Sequence, residues 1–519
     1  MKILNSLQMR QLDAFTMENE SVTSYELTER ASRCFADEIE SRWPQDTPVV
    51  VFAGPGNNGA DALCVARLLA EKDYQVGVWL FNTESGLSPD CQQHCDHLKE
   101  LLKGGLQNLT LQEIKTTFQP PELTEGTLVV DGLFGTGLSR PLTGGYAAVV
   151  AYVNNAKATV VSVDVPSGLM TEDNTGNDLA GVIHADFTFT FQHPKLAFFF
   201  PEHETCVGDW KVLDIGLADP DSADDTTVFA TAYEMTEEND VRRMLKKRPI
   251  FAHKGQMGHA ALVAGQRGMA GAAVLSAKSS MRSGVGKLTV CTEEANRAIL
   301  QVAVPEAVLY LNDSEDFNVL NHGVRYDALA MGPGMGTDLA AQHQMSDLLE
   351  VVNIPLVLDA DALTMLASMP QWLQAMPEQT VMTPHRGELE RLVGKQSSSY
   401  DLLQKTLLFA RQYGVVVVMK GAFTAVVTPD AKAYFNTTGN PGMATAGAGD
   451  VLTGIILALL AQGYKAEDAA RLGVYVHGLA GDFAADHLGQ MSLIASDIVT
   501  ALPQAFKLLT DSLSNSDNR

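Results

Sequence analysis

Two stretches of this chain alternate short runs of β-branched residues with helical patterns, and most of the runs end in a loop bearing glycine or aspartate. In the first stretch Val49-Val50-Val51-Phe52 reads as a buried strand. From Asp61 a helical pattern sets Leu63, Ala66, Leu69 and Ala70 on one face. Val76–Phe81, Leu128–Asp131 and Thr159–Asp164 are the next strands. The second stretch repeats the theme, with Ala260–Ala264, Leu288–Cys291, Ala328–Met331, Leu356–Asp359 and Val415–Met419 as its clearest strands. Such alternation predicts parallel sheets covered by helices on both faces, an α/β class with two three-layer α/β/α domains in tandem. The most acidic and least periodic segment, Leu217–Asp240, lies between them and contains Asp219-Pro220-Asp221 and Asp224-Asp225. The boundary is expected near 225, dividing 1–224 from 225–519.

Composition removes several classes of partner. Of 519 residues, 37 are Lys or Arg and 62 are Asp or Glu, giving a net charge of −25 that repels phosphate backbones. The densest basic run, Arg242-Arg243 with Lys246-Lys247-Arg248, is short and flanked by acids, so nucleic acid is not an expected partner. The longest apolar stretch, Ile455–Ala461, is far below the ~20 residues of a membrane helix, and no signal-peptide pattern follows Met1. Six cysteines are too few for a disulfide framework and suit a cytoplasmic protein. Cys91, His94, Cys95 and His97 crowd one helical segment, but polar flanks and the lack of a distant ligand pair favour a plain helix surface over a metal site.

The chemistry concentrates in loops. Gly54-Pro55-Gly56-Asn57-Asn58-Gly59 has the letters of a dinucleotide fingerprint and follows a strand. That fingerprint also needs an acid at the end of the second strand to hold a ribose, and here Phe81-Asn82 is followed only by Glu84. A hydride-transfer domain is therefore disfavoured, while a mere tight turn does not account for Asn57, Asn58 and Asp61. Asp131 opens DGLFGTGLSRP, and Asp164 opens DVPSG, which supplies Ser167. Ligands of open α/β sheets bind at carboxyl ends of strands, where these residues fall. Oxygen donors from Asn58, Asp131 and Ser167 suit a hard cation better than zinc.

The second stretch carries NTTGNPGMATAGAGDVLTG, residues 436–454. Ala446-Gly447-Ala448-Gly449 leads into a helix with Val451, Leu452, Ile455 and Leu459 on its buried side. A helix start built from glycines offers free N–H groups to an anion, aided by the helix dipole. A carboxylate at that start, Asp450, would repel a bound phosphate unless it acts on the group attacking phosphorus, so it reads as a general base beside an anion hole. The alternative is an N-cap. No G-x-x-x-x-G-K-[ST] sequence occurs, which excludes a P-loop enzyme. Gly332-Pro333-Gly334-Met335-Gly336, Asp359-Ala360-Asp361-Ala362, Thr383-Pro384-His385-Arg386-Gly387-Glu388 and Lys420-Gly421-Ala422-Phe423-Thr424 each follow a strand of the same half. His385 alone reads equally well as a structural histidine.

These motifs carry a family resemblance. GPGNNGAD, DGLFGTG and DVPSG resemble the YjeF N-terminal domain, a Rossmann-like NAD(P)H-hydrate epimerase. GPGMG, TPHRGEL, the Lys420–Thr424 loop and GNPGMATAGAGDVLTG resemble the ADP-dependent NAD(P)H-hydrate dehydratases of the ribokinase-like superfamily. Residues 1 to about 510 are similar to bifunctional nicotinamide nucleotide repair proteins, in which both activities share one chain. The resemblance implies that Asn57, Asn58, Gly59, Ala60 and Asp61, with Gly135, Thr136, Gly137, Leu138, Ser139, Arg140 and Pro141, hold the hydrate in the first domain, with Asp164 at the reacting ring. It implies K+ on Asn58, Asp131 and Ser167. In the second domain it implies Ala272, Gly334, His385 and Asp450 at the hydrate, and Lys420, Gly421, Ala422, Phe423, Thr424 and Gly449 at ADP, the co-substrate, accompanied by Mg2+. Asp164 and Asp450 are then the catalytic residues, and a cytoplasmic homo-oligomer is expected. Ala60 stands where the family pattern NNGGD has glycine, which would matter if that position needs a positive φ. The competing reading is a ribokinase-like kinase for a vitamin-precursor alcohol fused to a non-catalytic nucleotide-binding module.

Overall fold

The computed structural model describes residues 1–82, 86–222, 226–312, 320 and 323–516. Glu84, Asp224 and the boundary expected near 225 lie outside them. Two compact units are present, Lys2–Thr231 with Ser398–Tyr400, and Ala232–Ser397 with Asp401–Arg519. No helix among the described residues is long and apolar enough to cross a membrane.

The first unit is built on seven parallel strands: β1 (Val49–Ala53), β2 (Val76–Phe81), β3 (Leu109–Ile114), β4 (Leu128–Gly132), β5 (Thr159–Val163), β6 (Phe187–Phe191) and β7 (Asp209–Leu213). Their order is β3-β2-β1-β4-β5-β6-β7. Because side chains alternate along a strand, Val49, Val51 and Ala53 enter one core with Phe35, Leu63 and Leu69. Val50 and Phe52 enter another with Val149, Val150 and Val153. Two cores on opposite faces make the three layers. The helix after β1 runs Asn57–Glu71, so it begins four residues before the Asp61 start expected from periodicity. Its first turn lacks apolar residues, which hides it from a hydrophobic pattern.

The second unit carries β8 (Tyr233–Met235), β9 (His259–Val263), β10 (Lys287–Glu293), β11 (Val308–Asn312), β12 (Ala328–Met331), β13 (Leu356–Leu358), β14 (Thr380–Met382), β15 (Val416–Met419), β16 (Ala425–Val427) and β17 (Ala433–Phe435). The order is β11-β10-β9-β12-β13-β14-β15-β16-β17-β8. The strands read from sequence pair in parallel, as expected, while the short β16, not read from sequence, runs antiparallel to both β15 and β17. Ala448–Ala461 is buried almost throughout and joins the core of Ala260, Leu262, Ala328 and Ala330.

β8 pairs with β17 through Tyr233, Glu234 and Met235. A fragment starting at Glu237 should therefore be less stable than one starting at Ala232 by about 1–3 kcal/mol, from three cross-strand pairs. Thermal melting of the two fragments checks this, with a Tm gap of roughly 3–10 °C expected.

Candidate active sites

In the first unit the strand order reverses between β1 and β4, and such a switch point opens a crevice at the carboxyl ends. Asn57–Asp61 follow β1, Asp131 lies on β4, and Asp164 and Ser167 follow β5. The close approach here requires glycine. A Cβ at Gly59 would sit 1.8 Å from the Gly54 carbonyl oxygen, so the helix rests directly on the strand end. Ala60, by contrast, occupies an ordinary helical position, fully buried, and donates its N–H to Gly56 at 3.1 Å. Position 60 does not need a positive φ.

Asp131 is 1% exposed and receives four donors. Ser162 Oγ and the Ser167 N–H reach Oδ2, both at 2.8 Å. Ser167 Oγ at 2.6 Å and the Leu133 N–H at 3.3 Å reach Oδ1. Burial pushes this carboxyl above the usual range, and these hydrogen bonds pull it back. All four donors are neutral. The buried Asn58 Nδ2 has no partner, and a Cβ at Gly135 would lie 2.9 Å from Asn58 Oδ1. Asn58 and the loop of Gly135 are thus brought together. Ser139, Arg140 and Pro141, farther along that loop, are exposed.

Asp164 takes φ +63°, a left-handed conformation rare for residues other than glycine. Its Oδ1 accepts from Thr190 Oγ1 at 2.9 Å, Phe191 N–H at 3.1 Å and Lys195 Nζ at 2.8 Å. Lys195 is fully buried and also donates to the His193 carbonyl at 2.9 Å. Loss of solvent and the neighbouring charges of Asp164, Asp13 and Asp90 push Asp61 well above the carboxylate range.

The second unit has its switch point between β9 and β12. Gly334, at φ +57°, packs against the helix that follows β9, where an added Cβ would come within 3.1 Å of the Ala272 Cβ. His385 is the N-cap of Arg386–Val393. Its Nδ1 accepts from Gly387 N–H at 3.0 Å, which leaves Nε2 to carry the proton of the neutral ring. So His385 caps this helix, and its side chain is exposed. Lys420–Thr424 forms a tight turn closed by Thr424 Oγ1, which donates to Gly421 O at 3.0 Å.

Gly447 at φ +90° caps the helix Ala448–Ala461 without a side chain, and Asp450 sits in its first turn. Asp450 is not the N-cap. Burial first, then the charges of Asp359 and Asp361, raise it to about 6 against the opposing pull of Lys420. Asp359, named from sequence only as part of a strand-end loop and given no role, organises this corner. It is 1% exposed and accepts from Lys420 Nζ at 2.9 Å and from Thr453 Oγ1 at 2.6 Å. Gly449 lies against that pair, since its added Cβ would be 3.2 Å from Lys420 Nζ. His477 went unnoticed. Burial holds it at about 4, hence neutral, with Nε2 unpartnered.

The helix surface expected at Cys91, His94 and Cys95 is corrected, because all three are buried on the inner face of Pro89–Lys103. His94 stacks on Tyr25 at 4.3 Å and meets Glu29 and Cys64. Arg67 donates to both Glu29 and Cys64, so a guanidinium supplies the positive charge there. Cys95 and His97 are not part of that cluster.

The NAD(P)H-hydrate dehydratase family profile matches residues 260–504, and that of the YjeF-related protein N-terminus matches 24–197. The bifunctional NAD(P)H-hydrate repair enzyme Nnr of Moorella thermoacetica is 35% identical over 98% of both chains. That of Escherichia coli K12 is 31% identical over 93% of this chain and 89% of its own. A ribokinase-like superfamily protein of Enterococcus faecalis is 29% identical, with TM-score 0.50, covering 54% of this chain and 97% of its own. An ADP/ATP-dependent NAD(P)H-hydrate dehydratase from Bacillus subtilis, co-crystallised with ATP and Mg2+, is 31% identical with TM-score 0.47, covering 53% and 98%. With relatives this similar across nearly their whole length, the chain belongs to the family of bifunctional NAD(P)H-hydrate repair enzymes.

Proposed function

We propose that the β1–β4 crevice epimerises NAD(P)H hydrate and that the site at Asp450 removes water from the S form, with Asp164 and Asp450 as the catalytic residues. Membership of the family makes the chain an NAD(P)H-hydrate epimerase and a nucleotide-dependent dehydratase. The residue roles rest on one observation above all. A desolvated carboxyl at about 6 sits in the first turn of a helix whose start carries no side-chain cap, beside the Lys420–Asp359 pair. Hydroxide leaves poorly, so dehydration needs the hydroxyl phosphorylated first. Asp450 takes the hydroxyl proton as its oxygen attacks the terminal phosphorus of ADP. The free N–H groups near Gly449 steady the developing charge. The P–O bond to AMP breaks in that step; phosphate then leaves the ring carbon as the neighbouring carbon gives up its proton, which restores the ring double bond. Lys420, Gly421, Ala422, Phe423, Thr424 and Gly449 would hold ADP, brought as its Mg2+ complex. Ala272, Gly334 and His385 would line the hydrate side.

In the first unit Asn57–Asp61 and Gly135–Pro141 would hold the hydrate. Asn58, Asp131 and Ser167 fit K+, because Asp131 is a buried carboxyl met only by neutral donors and Asn58 adds an amide oxygen. The ion would supply positive charge between these aspartates and a phosphate-bearing substrate. The reading places the protein in the cytoplasm as a homo-oligomer, the latter open to sedimentation measurement.

Asp450→Asn should lower the dehydration rate by ~10²–10⁴ while nucleotide still binds. The raised carboxyl means that the fold favours its protonated form, so stability is lost as pH rises through about 6. The variant should therefore melt higher than the parent at pH 8 and alike only below about pH 4, under the ordinary carboxyl value of 3.8. Near-normal turnover would reduce Asp450 to a structural residue. Asp131→Ala should slow epimerisation, and wild-type epimerisation should fall when K+ is replaced by a large organic cation. If activity ignores the cation and the variant only melts lower, the ion assignment fails.

A further inference from the structure

Epimerisation inverts a carbon, so proton-transfer groups must reach both faces of the ring. Hydration of an enamine puts the hydroxyl on the carbon beside nitrogen. Inversion there breaks that C–O bond on one face and rebuilds it on the other. Asp164 provides one group. Its three donors all reach Oδ1, one of them from the buried Lys195, which leaves the other oxygen, Oδ2, for the proton.

The helix Ser6–Glu20 lies over the same crevice. Asn5 closes its start with a capping box, and Ser6 Oγ meets Thr171 Oγ1 at 3.0 Å, a few residues beyond DVPSG. Arg10 follows one turn on. A Cβ at Gly137 would stand 3.1 Å from an Arg10 guanidinium nitrogen, so this side chain rests on the loop 135–141. Among the described residues Arg10 forms no ion pair. Asp13, three residues later on the same face, is half-buried beside Asp164, Lys195 and Asp61. All three residues precede the 24–197 segment that the N-terminal family profile covers.

We propose that this helix completes the epimerase site, with Asp13 as the proton donor facing Asp164 and Arg10 as a ligand of the hydrate's phosphates. The inference rests on the assignment of the crevice to the hydrate. The Asp13 proton passes to the hydroxyl oxygen as the C–O bond breaks and water leaves. The ring nitrogen lone pair forms C=N+, an iminium that the surrounding carboxylates stabilise. Water adds to the opposite face, the C–O bond re-forms, and its proton goes to Asp164. The return reaction uses the two groups in exchanged roles, and solvent resets them between turnovers. No oxidant or reductant is consumed. Asp13 is suited to the task, since burial and then the Asp164 charge raise it to about 6, with Lys195 opposing. Its titration is set by burial, Asp164 and Lys195; Asp61 also lies beside it and Arg10 sits on its own helix.

The full-length enzyme reports both halves at once. NADH appears from S hydrate by dehydration alone, and from R hydrate only after epimerisation, once the spontaneous rate is subtracted. Asp13→Asn should cut the R-hydrate kcat by ~10²–10⁴ with the S-hydrate rate unchanged and the melting temperature no lower than wild type. Arg10→Gln should raise the R-hydrate KM about tenfold or more, partly recovered in Arg10→Lys. The wild-type kcat/KM for R hydrate should fall on the alkaline side of about pH 6, a limb absent in Asp13→Asn. An R-hydrate kcat within about threefold of wild type in Asp13→Asn overturns the proposal. So does a wild-type profile flat from about pH 5 to 8, which needs no variant to fold. Asp164→Asn separates the layers. If it too leaves R-hydrate turnover intact, the crevice assignment itself is wrong, whereas loss with Asp164→Asn alone removes only Asp13.

Discussion

A carboxylate taken out of water costs several kcal/mol unless donors converge on it, and each unit places such a group at the end of a central strand. Asp131 gathers the hydroxyls of Ser162 and Ser167 and two backbone N–H groups, which binds the β5 loop to β4. Asp359 gathers Lys420 and Thr453, which ties the loop after β15 to the buried helix Ala448–Ala461. Neither loop is fixed by hydrophobic packing alone. Removing one of these carboxyls would strand several polar partners at once, and the neighbouring loops would lose their bearings.

The acids of the two candidate sites are held differently. Asp164 is surrounded by donors and held in a strained left-handed turn, while burial and nearby carboxylates push Asp13, Asp61 and Asp450 upward. In the second unit Lys420 opposes the rise at Asp450, which is held at about 6.

The central strands were legible because buried parallel strands read as continuous apolar runs, as in Val49–Phe52 and Leu128–Val130. Strands away from the sheet centres were not. β7, Asp209–Leu213, is mixed in polarity, and the three-residue β16 and β17 are too short to carry a pattern. The glycine loops marked both crevices, since close backbone approach leaves a compositional trace. Asp359 and Lys195 act through partners far along the chain, Lys420 and Asp164, and only the folded contacts reveal them. A lysine amid the aromatic run Phe187–Phe200 was a usable signal, because a cation there needs a buried acid. Asp13 offered none, being one acid on an amphipathic helix. His94 misled because its segment looks polar in sequence while its inner face is buried.

β8 stands just past the end of the first unit, yet it forms the outermost strand of the second. It is three residues long and carries Glu234, features that discourage another chain from pairing with it. Without it the apolar Ala433-Tyr434-Phe435 would present open backbone groups to any passing strand. The segment that tethers the two catalytic halves is thus also a guard against aggregation. A dehydratase half cut loose from its epimerase would have to bring its own edge cover to remain dispersed.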